Sequence, residues 1–534
     1  MPLFKTGMVV SANQIASMVG AKVLKKGGNA VDAAITTAHV LGVAEPAFSG
    51  LGGGGFALIW LAREKKAVFI DFREKAPSAA TEDMFQLTKS GKVVANENAV
   101  GYKSVAVPGA ISGHASILER YGTLRLRETL DDAARIALRG FLVDRTLSYV
   151  WKLGAKKLQR FKDSRSTYLK RARPFTKGDR VVLPALARTI RAIASEGPEE
   201  FYCGRLARKI VEDMASNKGL LTAHDLEEYE PTTREPLRGH YKGYEIISAP
   251  PPSCGGAIIL QSLNILENLP LKNYDNGSAE GLHMLAEALA RSSMTCRPTI
   301  SDPAFSNPPI EKFLSKMFAK ELASTVSLNT SSIPTPASSS PLAHASNTTH
   351  LVAVDAERNA VSLTESVECY FGSGVTIPGT GMILNDTMHD FEPHPGMVNS
   401  VGPGKIPMSN MAPTIVLRDG EPVLALGSAG GPRIVSSTLQ VLLNVIEYEL
   451  ELQDAVMAPR IHLDGARLQL EQAVGRGVTR KLQEMGHSIQ IKKRTGKEDP
   501  GLYFGGVHAV QISQDNRLVG APDSRRDGLA VGLP

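Results

Sequence analysis

The feature that most constrains this chain is an abrupt change of pattern at Asn347–Thr348. Residues 324–347 are rich in Ser, Thr, Pro and Ala, almost uncharged and without a hydrophobic period, a composition typical of an exposed, mobile linker. The next residues, THLVAVD, alternate in polarity, DAERN forms a turn and AVSLTES alternates again, which predicts a β-hairpin. The sequence therefore predicts a loose segment that runs directly into a strand.

The rest of the chain predicts helices packed against antiparallel sheet, an α+β class. Asn29 suits a helix N-cap, with Asp32 three residues further on. Segments such as FALIWLA, GMILND, PTIVLRD and PVLALGSAG indicate strands. Apolar residues at helical spacing predict helices over Asn13–Leu24, from Asn29 onward, over Leu183–Ala215 with a break at Gly197–Pro198, and over Ala223–Tyr229 and Ser436–Glu449.

Composition argues against several classes of partner. The chain carries 60 Lys+Arg against 54 Asp+Glu over 534 residues, which is a mild excess. Its densest basic run, Lys152–Arg173, contains aromatic residues but no nucleic-acid-binding motif, so we interpret it as a solvated helical face. We also find no apolar run of membrane-spanning length and no signal-like start in MPLFKTG. We expect a cytoplasmic protein with neither a nucleic acid nor a membrane as partner.

The usual nucleophile and metal motifs are missing. No G-x-S-x-G, H-E-x-x-H or C-x-x-C occurs, and the four cysteines fit neither a zinc site nor a disulfide framework. Gly52–Gly55 precede a strand without G-K-[ST], so close packing is a better interpretation than a phosphate loop. In MHDFEPH a proline separates the two histidines, which excludes a regular helix presenting both, and we predict no metal. The residues concerned are His389, Asp390, Glu392 and His394.

The junction at Asn347–Thr348 suggests a different nucleophile. A threonine hydroxyl becomes competent when a base can take its proton, and a free α-amine on the same residue is such a base. The pKa of an α-amine, near 8, leaves part of it neutral at working pH. Cutting the peptide bond before Thr348 would create that amine. Taken alone, NTTH would be better interpreted as an ordinary polar start of a strand.

Further blocks make the pattern specific. They are, in order, GMVVS, KKGGNAVDAA, GLGGGGF, DFREKAP, KGD, GPEEFYCG, PPPSCGG, NTTH…VD, FGSG, MHDF, NMAPTIV, GSAGGPRI and DSRRD. With these blocks the chain resembles the γ-glutamyltransferase (glutathione hydrolase) family of N-terminal-nucleophile hydrolases over essentially its full length. The resemblance implies a four-layer αββα sandwich of two antiparallel sheets flanked by helices. It also implies a large subunit, residues 1–347, and a small subunit, residues 348–534, in one intertwined core.

The resemblance also implies catalytic residues. Thr348 matches the threonine that cleaves the chain autocatalytically and then attacks the substrate amide. Ser366 takes the place of a hydroxyl residue, usually threonine, that hydrogen-bonds the nucleophile. Gly430 and Gly431 match the pair whose N–H groups form the oxyanion hole, a role that suits glycine because the backbone can approach closely.

The binding residues follow in the same way. Arg73 matches the arginine that holds the α-carboxylate of the γ-glutamyl group, for which a planar guanidinium is well suited. Asp390 matches the aspartate that pairs with the α-ammonium. Ser409 matches one of two serines at the α-carboxylate, and Asn410 stands in for the second.

Two positions depart from the family pattern. Glu368 stands where asparagine is usual, and Thr387 where Gln or Glu is usual. Either the acceptor for the α-ammonium has moved from position 387 to 368, or the pocket is retuned for an acyl group without the amine. In addition, residues 391–407 are too short for the tyrosine-bearing lid of many relatives, so we expect hydrolysis to compete well with transfer.

These implications favour a self-processing γ-glutamyl amide hydrolase and transferase. Its substrate would be a small γ-glutamyl compound such as glutathione, its acceptor water, an amino acid or a dipeptide, and no metal or organic cofactor would be required. The alternative is an acylase of the same family for dicarboxylic half-amides or other small amides. A more distant alternative is a non-enzymatic binding protein on the same scaffold.

Overall fold

The structure of the protein is a computed structural model that describes residues 4–333, 347–494, 496, 499–513 and 515–534. The predicted linker is thus described up to residue 333 and again at Asn347. Its central part, residues 334–346, lies outside the described residues, and the predicted mobility of that part stays a prediction.

The strands are numbered in chain order. They are β1 (Gly7–Ser11), β2 (Gly54–Leu61), β3 (Lys66–Asp71), β4 (Phe141–Leu142), β5 (Arg180–Val181), β6 (Thr232–Arg234), β7 (Leu237–Tyr241), β8 (Tyr244–Ser248), β9 (Thr349–Asp355), β10 (Ala360–Ser366), β11 (Thr414–Arg418), β12 (Glu421–Ala429), β13 (Ile461–Asp464), β14 (Arg467–Glu471), β15 (Ile489–Lys492), β16 (Gly506–Ile512), β17 (Leu518–Ala521) and β18 (Leu529–Leu533).

The α-helices follow the same convention. They are α1 (Gln14–Lys25), α2 (Ala30–Ala44), α3 (Ala110–Tyr121), α4 (Leu126–Arg139), α5 (Arg145–Gln159), α6 (Lys162–Tyr168), α7 (Pro184–Glu196), α8 (Glu199–Tyr202), α9 (Arg205–Ser216), α10 (Ala223–Glu227), α11 (Gly255–Leu266), α12 (Ala279–Cys296), α13 (Ile310–Leu314), α14 (Lys316–Ser324), α15 (Arg433–Ile446), α16 (Leu452–Met457) and α17 (Arg476–Glu484). Short 3₁₀ helices occupy Val94–Asn96, Tyr102–Ser104, Leu271–Asn273, Thr387–Asp390 and Leu502–Phe504.

Two antiparallel sheets form the centre of the molecule. The seven-stranded sheet has the order β18-β1-β9-β10-β2-β3-β6, and the six-stranded sheet has the order β17-β16-β12-β11-β8-β7. Each sheet contains strands from both sides of Asn347. The core is therefore continuous across the linker, because neither sequence half can complete a sheet without the other.

The layer order confirms the predicted four-layer αββα sandwich. Strands β9 and β10 of the first sheet pack on β12 and β16 of the second. Helices α1 and α2 cover the outer face of the seven-stranded sheet, while α11 and α15 cover the six-stranded one. Apolar side chains on both faces of each sheet are buried, so the inner strands lie in the hydrophobic core, away from solvent.

The predicted hairpin is present as β9 and β10, paired from Thr349–Glu365 to Val354–Ala360. Alternation sends neighbouring side chains to opposite faces of the sheet. The Thr349 hydroxyl donates to Glu45 at the end of α2, 3.2 Å away, on the helix side. His350 faces the second sheet, where the missing Cβ of Gly427 in β12 would lie 2.3 Å from its ring. Thr348, two residues from His350, belongs to that inner side.

Several local predictions need correction. GMILND is not a strand: it pairs with the segment 373–377 and with Gly52 only through isolated bridges, Thr376 with Ile383 and Gly52 with Leu384, which are too few for a continuous ladder. The helix predicted at Ser436–Glu449 instead spans Arg433–Ile446, starting directly after Pro432. By contrast, the capping box of Asn29 and Asp32 is present at the start of α2.

Candidate active site

The peptide bond before the predicted nucleophile lies in a compact hydrogen-bond arrangement. The Asn347 carbonyl oxygen accepts from the Thr348 hydroxyl at 2.6 Å and from the Ser366 hydroxyl at 2.5 Å. Ser366 in turn accepts from the amide of Glu368 at 2.9 Å, and the Glu368 carbonyl oxygen accepts from the amide of Asn347 at 2.9 Å. Thr348 is only 2% exposed. The Ser366 hydroxyl polarises that carbonyl toward nucleophilic attack, and the hydrogen bond of Thr348 holds its own hydroxyl beside the same carbonyl.

Gly430 and Gly431 form the turn between β12 and α15. Their φ angles are +129° and +59°, a region that glycine enters at little cost. Among the described residues, neither N–H group donates any of the backbone hydrogen bonds that occur in turns, loops and helix caps. The contact of His350 with Gly427 brings this turn to the strand that follows Thr348. The turn lies at a helix start, and an oxyanion-binding role for its amides stays a prediction.

Arg73 is the centre of the predicted acyl-binding residues, and its side chain is fully buried. Nη1 lies 3.1 Å from Glu74 Oε2, and Nη2 lies 3.6 Å from Glu368 Oε2 and in contact with Asp390 Oδ2. Its backbone is held by Asp71, which accepts from the Arg73 amide at 2.9 Å. The fold therefore brings Arg73, Glu368 and Asp390 together as predicted, although they are far apart in sequence.

Glu368 has an unusual backbone as well as an unusual side chain. Its φ of +74° lies in the left-handed region, which costs a non-glycine residue free energy and which asparagine tolerates better. Burial, followed by the nearby charge of Asp390, raises the pKa of the Glu368 carboxyl well above its usual range. Burial likewise raises the pKa of Glu74 to about 6.

Ser409 and Asn410 lie directly after the short segment 391–407. Ser409 is pinned by the turn PPPSCGG, since its carbonyl oxygen accepts from the Cys254 amide at 2.9 Å and its amide donates to Pro252 at 3.1 Å. The Cys254 thiol lies 3.6 Å from Asn410 Oδ1. Burial raises the pKa of that thiol; the charge of Arg297 opposes this rise, and the charge of Asp390 adds to it.

The residues of MHDFEPH separate into two groups. His394 and Glu392 pair with each other at the surface. His389 and Asp390 instead join Glu368, with one ligand atom from each within 4.8 Å of the others. The carboxylates of Glu368 and Asp390 already face the guanidinium of Arg73, which provides a cationic partner without a metal.

Two participants escaped the sequence reasoning. Glu74 lies closer to the Arg73 guanidinium, at 3.1 Å, than the predicted Glu368 does, at 3.6 Å, and its position next to Arg73 in DFREKAP was an available signal. Cys254 borders Asn410, but only the turn PPPSCGG pointed to that region. Two aromatic residues of the basic run Lys152–Arg173 and its border, Trp151 and Tyr168, are buried and therefore cannot stack on the bases of a nucleic acid.

In the described part of the chain, no helix combines the length and apolarity that crossing a bilayer would demand. All four cysteines are free: Cys203, Cys254, Cys296 and Cys369.

Two face-to-face antiparallel sheets between helical layers define the class of N-terminal-nucleophile hydrolase folds. Comparison with known proteins then identifies the family. The family described as Gamma-glutamyltranspeptidase matches residues 16–533, and the chain belongs to it.

Similar proteins fall into two groups by name. The chain is 38% identical over 532 residues to Acylase ACY 1 proenzyme of Pseudomonas sp. (strain SE83), covering 99% of this chain and 93% of that one. It is 36% identical over 545 residues to the glutathione hydrolase proenzyme of Escherichia coli (strain K12), covering 99% and 92%. The crystal structure of cephalosporin acylase from Bacillus halodurans superposes with a TM-score of 0.89 at 28% identity, covering 100% of this chain and 97% of that chain.

Proposed function

We propose that the protein is a self-processing γ-glutamyl amide hydrolase and transferase whose nucleophile is Thr348. The observation that carries this proposal is the meeting of Arg73 with Glu368 and Asp390 beside the junction Asn347–Thr348. A guanidinium suits an α-carboxylate, and the carboxylates suit an α-ammonium. An amino-acid head group bears both charges on one carbon, so one substrate can satisfy the whole cluster.

Processing would begin in the intact chain. The Thr348 oxygen attacks the carbonyl carbon of Asn347, an ester forms, and the peptide C–N bond breaks as the nitrogen takes the proton. Ser366 donates to the carbonyl oxygen during this step. That bond cleavage frees the α-amine of Thr348. Water then hydrolyses the ester, which restores the Thr348 hydroxyl and leaves residues 1–347 and 348–534 as two chains.

The mature site would use that amine as its base. It takes the hydroxyl proton of Thr348 while the oxygen attacks the γ-amide of the substrate. The N–H groups of Gly430 and Gly431 hold the oxyanion, and the leaving amine receives the proton. Water, an amino acid or a dipeptide then releases the γ-glutamyl ester, with no cofactor involved. Ser409 and Asn410 would complete the contacts to the α-carboxylate.

A second candidate is an acylase for dicarboxylic half-amides. It is favoured by the names of two similar proteins, Acylase ACY 1 and cephalosporin acylase. The departures at Glu368 and Thr387 are consistent with a pocket retuned for such acyl groups. Charge favours the first candidate, since an acyl group with a carboxylate and no amine adds a negative charge to three carboxyl groups.

The test is a comparison of γ-glutamyl and glutaryl anilides as substrates of the processed protein and of Thr348→Ala. We expect two fragments from the parent, an uncut chain from Thr348→Ala, and faster release of aniline from the γ-glutamyl compound. Preference for the glutaryl compound would support the acylase. An uncut, inactive parent would contradict both candidates.

Glu368→Ala separates the two candidates further. If Glu368 accepts the α-ammonium, the variant loses more activity on substrates with a free α-amine than on their desamino analogues. Equal losses on both would remove Glu368 from this role.

A further inference from the structure

Three carboxyl groups surround one guanidinium in the acyl-binding site. Glu74 faces Nη1 of Arg73, whereas Glu368 and Asp390 both face Nη2. The side chains of Arg73 and Glu74 have no exposed surface, and that of Glu368 is 8% exposed. Because burial penalises unpaired charge, this cluster is poorly suited to three ionised carboxylates at once.

Glu368 and Asp390 are the pair that conflicts most. Both carboxyl groups approach Nη2 of Arg73, so they compete for the N–H groups of one nitrogen. Two carboxyl groups that share a buried site rarely ionise together, since each raises the free energy of the other's charged form. The raised pKa of Glu368, caused by burial and then by Asp390, agrees with this geometry.

The other groups around Glu368 do not relieve the conflict. Asp386 adds negative charge and has its own partner, Lys157, 3.5 Å away. Burial raises the pKa of the Cys369 and Cys254 thiols, which keeps them neutral. His389 is a further titratable neighbour among the residues that the structure describes.

The carboxylate of Asp71, two residues before Arg73, already forms an ion pair with Arg234, whose Nε lies 2.7 Å away.

We propose that Glu368 and Asp390 hold one proton between them in the free enzyme and that the α-ammonium of the substrate displaces this proton. This inference rests on the proposed function. The Glu368 carboxyl gives its proton to solvent, and the resulting carboxylate accepts an N–H of the ammonium. Arg73 binds the α-carboxylate. No covalent bond of the substrate changes in this step.

The exchange makes Glu368 a specificity-determining residue. An acyl group without an α-ammonium offers no cation, so the proton must stay. For such a ligand, binding weakens as rising pH removes the proton. The preference for α-amino acyl groups should therefore rise with pH, by up to about tenfold per pH unit for one displaced proton.

The measurement is calorimetric titration of the processed protein with L-glutamate and with glutarate, which differ by the α-ammonium alone. Repeating each titration in buffers of different ionisation enthalpy gives the number of protons released. We expect L-glutamate to release close to one proton per site on the acid side of the pH range, and glutarate to release none. Equal proton release by both ligands, or none by L-glutamate, would overturn the proposal.

Three variants assign the proton. Glu368→Gln should abolish the release while L-glutamate still binds, whereas Glu74→Gln and His389→Gln should retain it. Release that survives in Glu368→Gln, or that disappears only in Glu74→Gln or His389→Gln, would overturn the assignment.

The outcomes also separate this inference from the proposed function. Cleavage of the γ-glutamyl anilide without proton release contradicts the inference alone. Failure of L-glutamate to bind, together with no cleavage of the γ-glutamyl anilide, contradicts both.

Discussion

The carbonyl oxygen of Glu368 lies 2.9 Å from the amide nitrogen of Asn347, the residue before the proposed nucleophile. The side chain of the same residue faces Arg73. One residue thus contacts both the residue that precedes the bond proposed to be cut and the group proposed to bind the substrate. Its left-handed backbone makes this double contact possible, because the chain turns sharply after Ser366.

The conformation of Glu368 predicts a stabilising substitution. Asparagine tolerates φ near +74° better than glutamate, so Glu368→Asn should raise the free energy of unfolding by about 1 kcal/mol. Glu368→Gln is the control, since it removes the charge but keeps the backbone cost. Urea unfolding of both variants in a Thr348→Ala background, which keeps one chain, measures the difference. Equal stability of the two variants would show that backbone strain contributes nothing.

Ser366 is expected to accelerate processing. Without its hydroxyl the Asn347 carbonyl loses the donor that remains while Thr348 attacks, so Ser366→Ala should slow cleavage by on the order of a hundredfold. Ser366→Thr keeps the hydroxyl and should process at nearly the parent rate. A time course of fragments on a denaturing gel, with the new N-terminus identified by mass spectrometry, gives both rates. Unchanged cleavage in Ser366→Ala would exclude this role.

The glycine turn predicts a loss of turnover. A Cβ on Gly430 would lie 2.7 Å from Cα of Gly505, so Gly430→Ala must displace the backbone whose amides are proposed to hold the oxyanion. We expect kcat to fall on the order of a hundredfold. Gly420→Ala is the matched control, because Gly420 also has positive φ, +78°, but has open space around it. Similar kinetics for the two variants would argue against an oxyanion hole at this turn.

The short segment 391–407 predicts the fate of the acyl group. It folds on itself, with the Lys405 ammonium donating to Val398 at 2.8 Å and to Ser400 at 2.9 Å. The Asn399 amide ties it to the carbonyl of Asp390 at 2.7 Å. Such a compact segment should leave the cleft open to water. We expect hydrolysis to compete well with transfer even in excess glycylglycine, as chromatography of the products would show, and predominant transfer would contradict this.

Glu45 predicts a pH dependence of stability. Burial raises its pKa to about 8, against the opposing charge of Arg526, while in the unfolded chain it titrates near its usual value of about 4.5. Between these values the folded state binds more protons than the unfolded state, so stability falls as pH rises through this window. The slope is at most about 1.4 kcal/mol per pH unit for one group.

Glu45→Gln in the Thr348→Ala background should flatten this slope. Urea unfolding at several pH values measures it, and Glu421→Gln, at an exposed carboxyl paired with Lys65, is the control. A slope that is the same in Glu45→Gln and in its background would mean that Glu45 is ionised throughout the window.

How much the sequence could predict depended on whether the signal was local. The hairpin β9–β10 and the capping box at Asn29 depend on residues close together in the chain, and alternation and cap chemistry revealed both. GMILND failed as a strand because a strand needs continuous pairing with a neighbour, and apolar composition does not reveal how far such pairing extends. The position of Arg73 among the binding residues came from resemblance, since nothing around it distinguished it from a structural salt bridge.

The sequence by itself determined the family, the class of fold and the junction where strand pattern begins after Asn347. Only the tertiary structure decided that Glu74, Glu368 and Asp390 converge on one guanidinium. The reason is physical: Arg73 and Asp390 are separated by 317 positions and meet because β3 and the segment after β10 are placed by sheet pairing and burial. The free energy of each charge depends on that placement and on the loss of water around it, which no local pattern encodes.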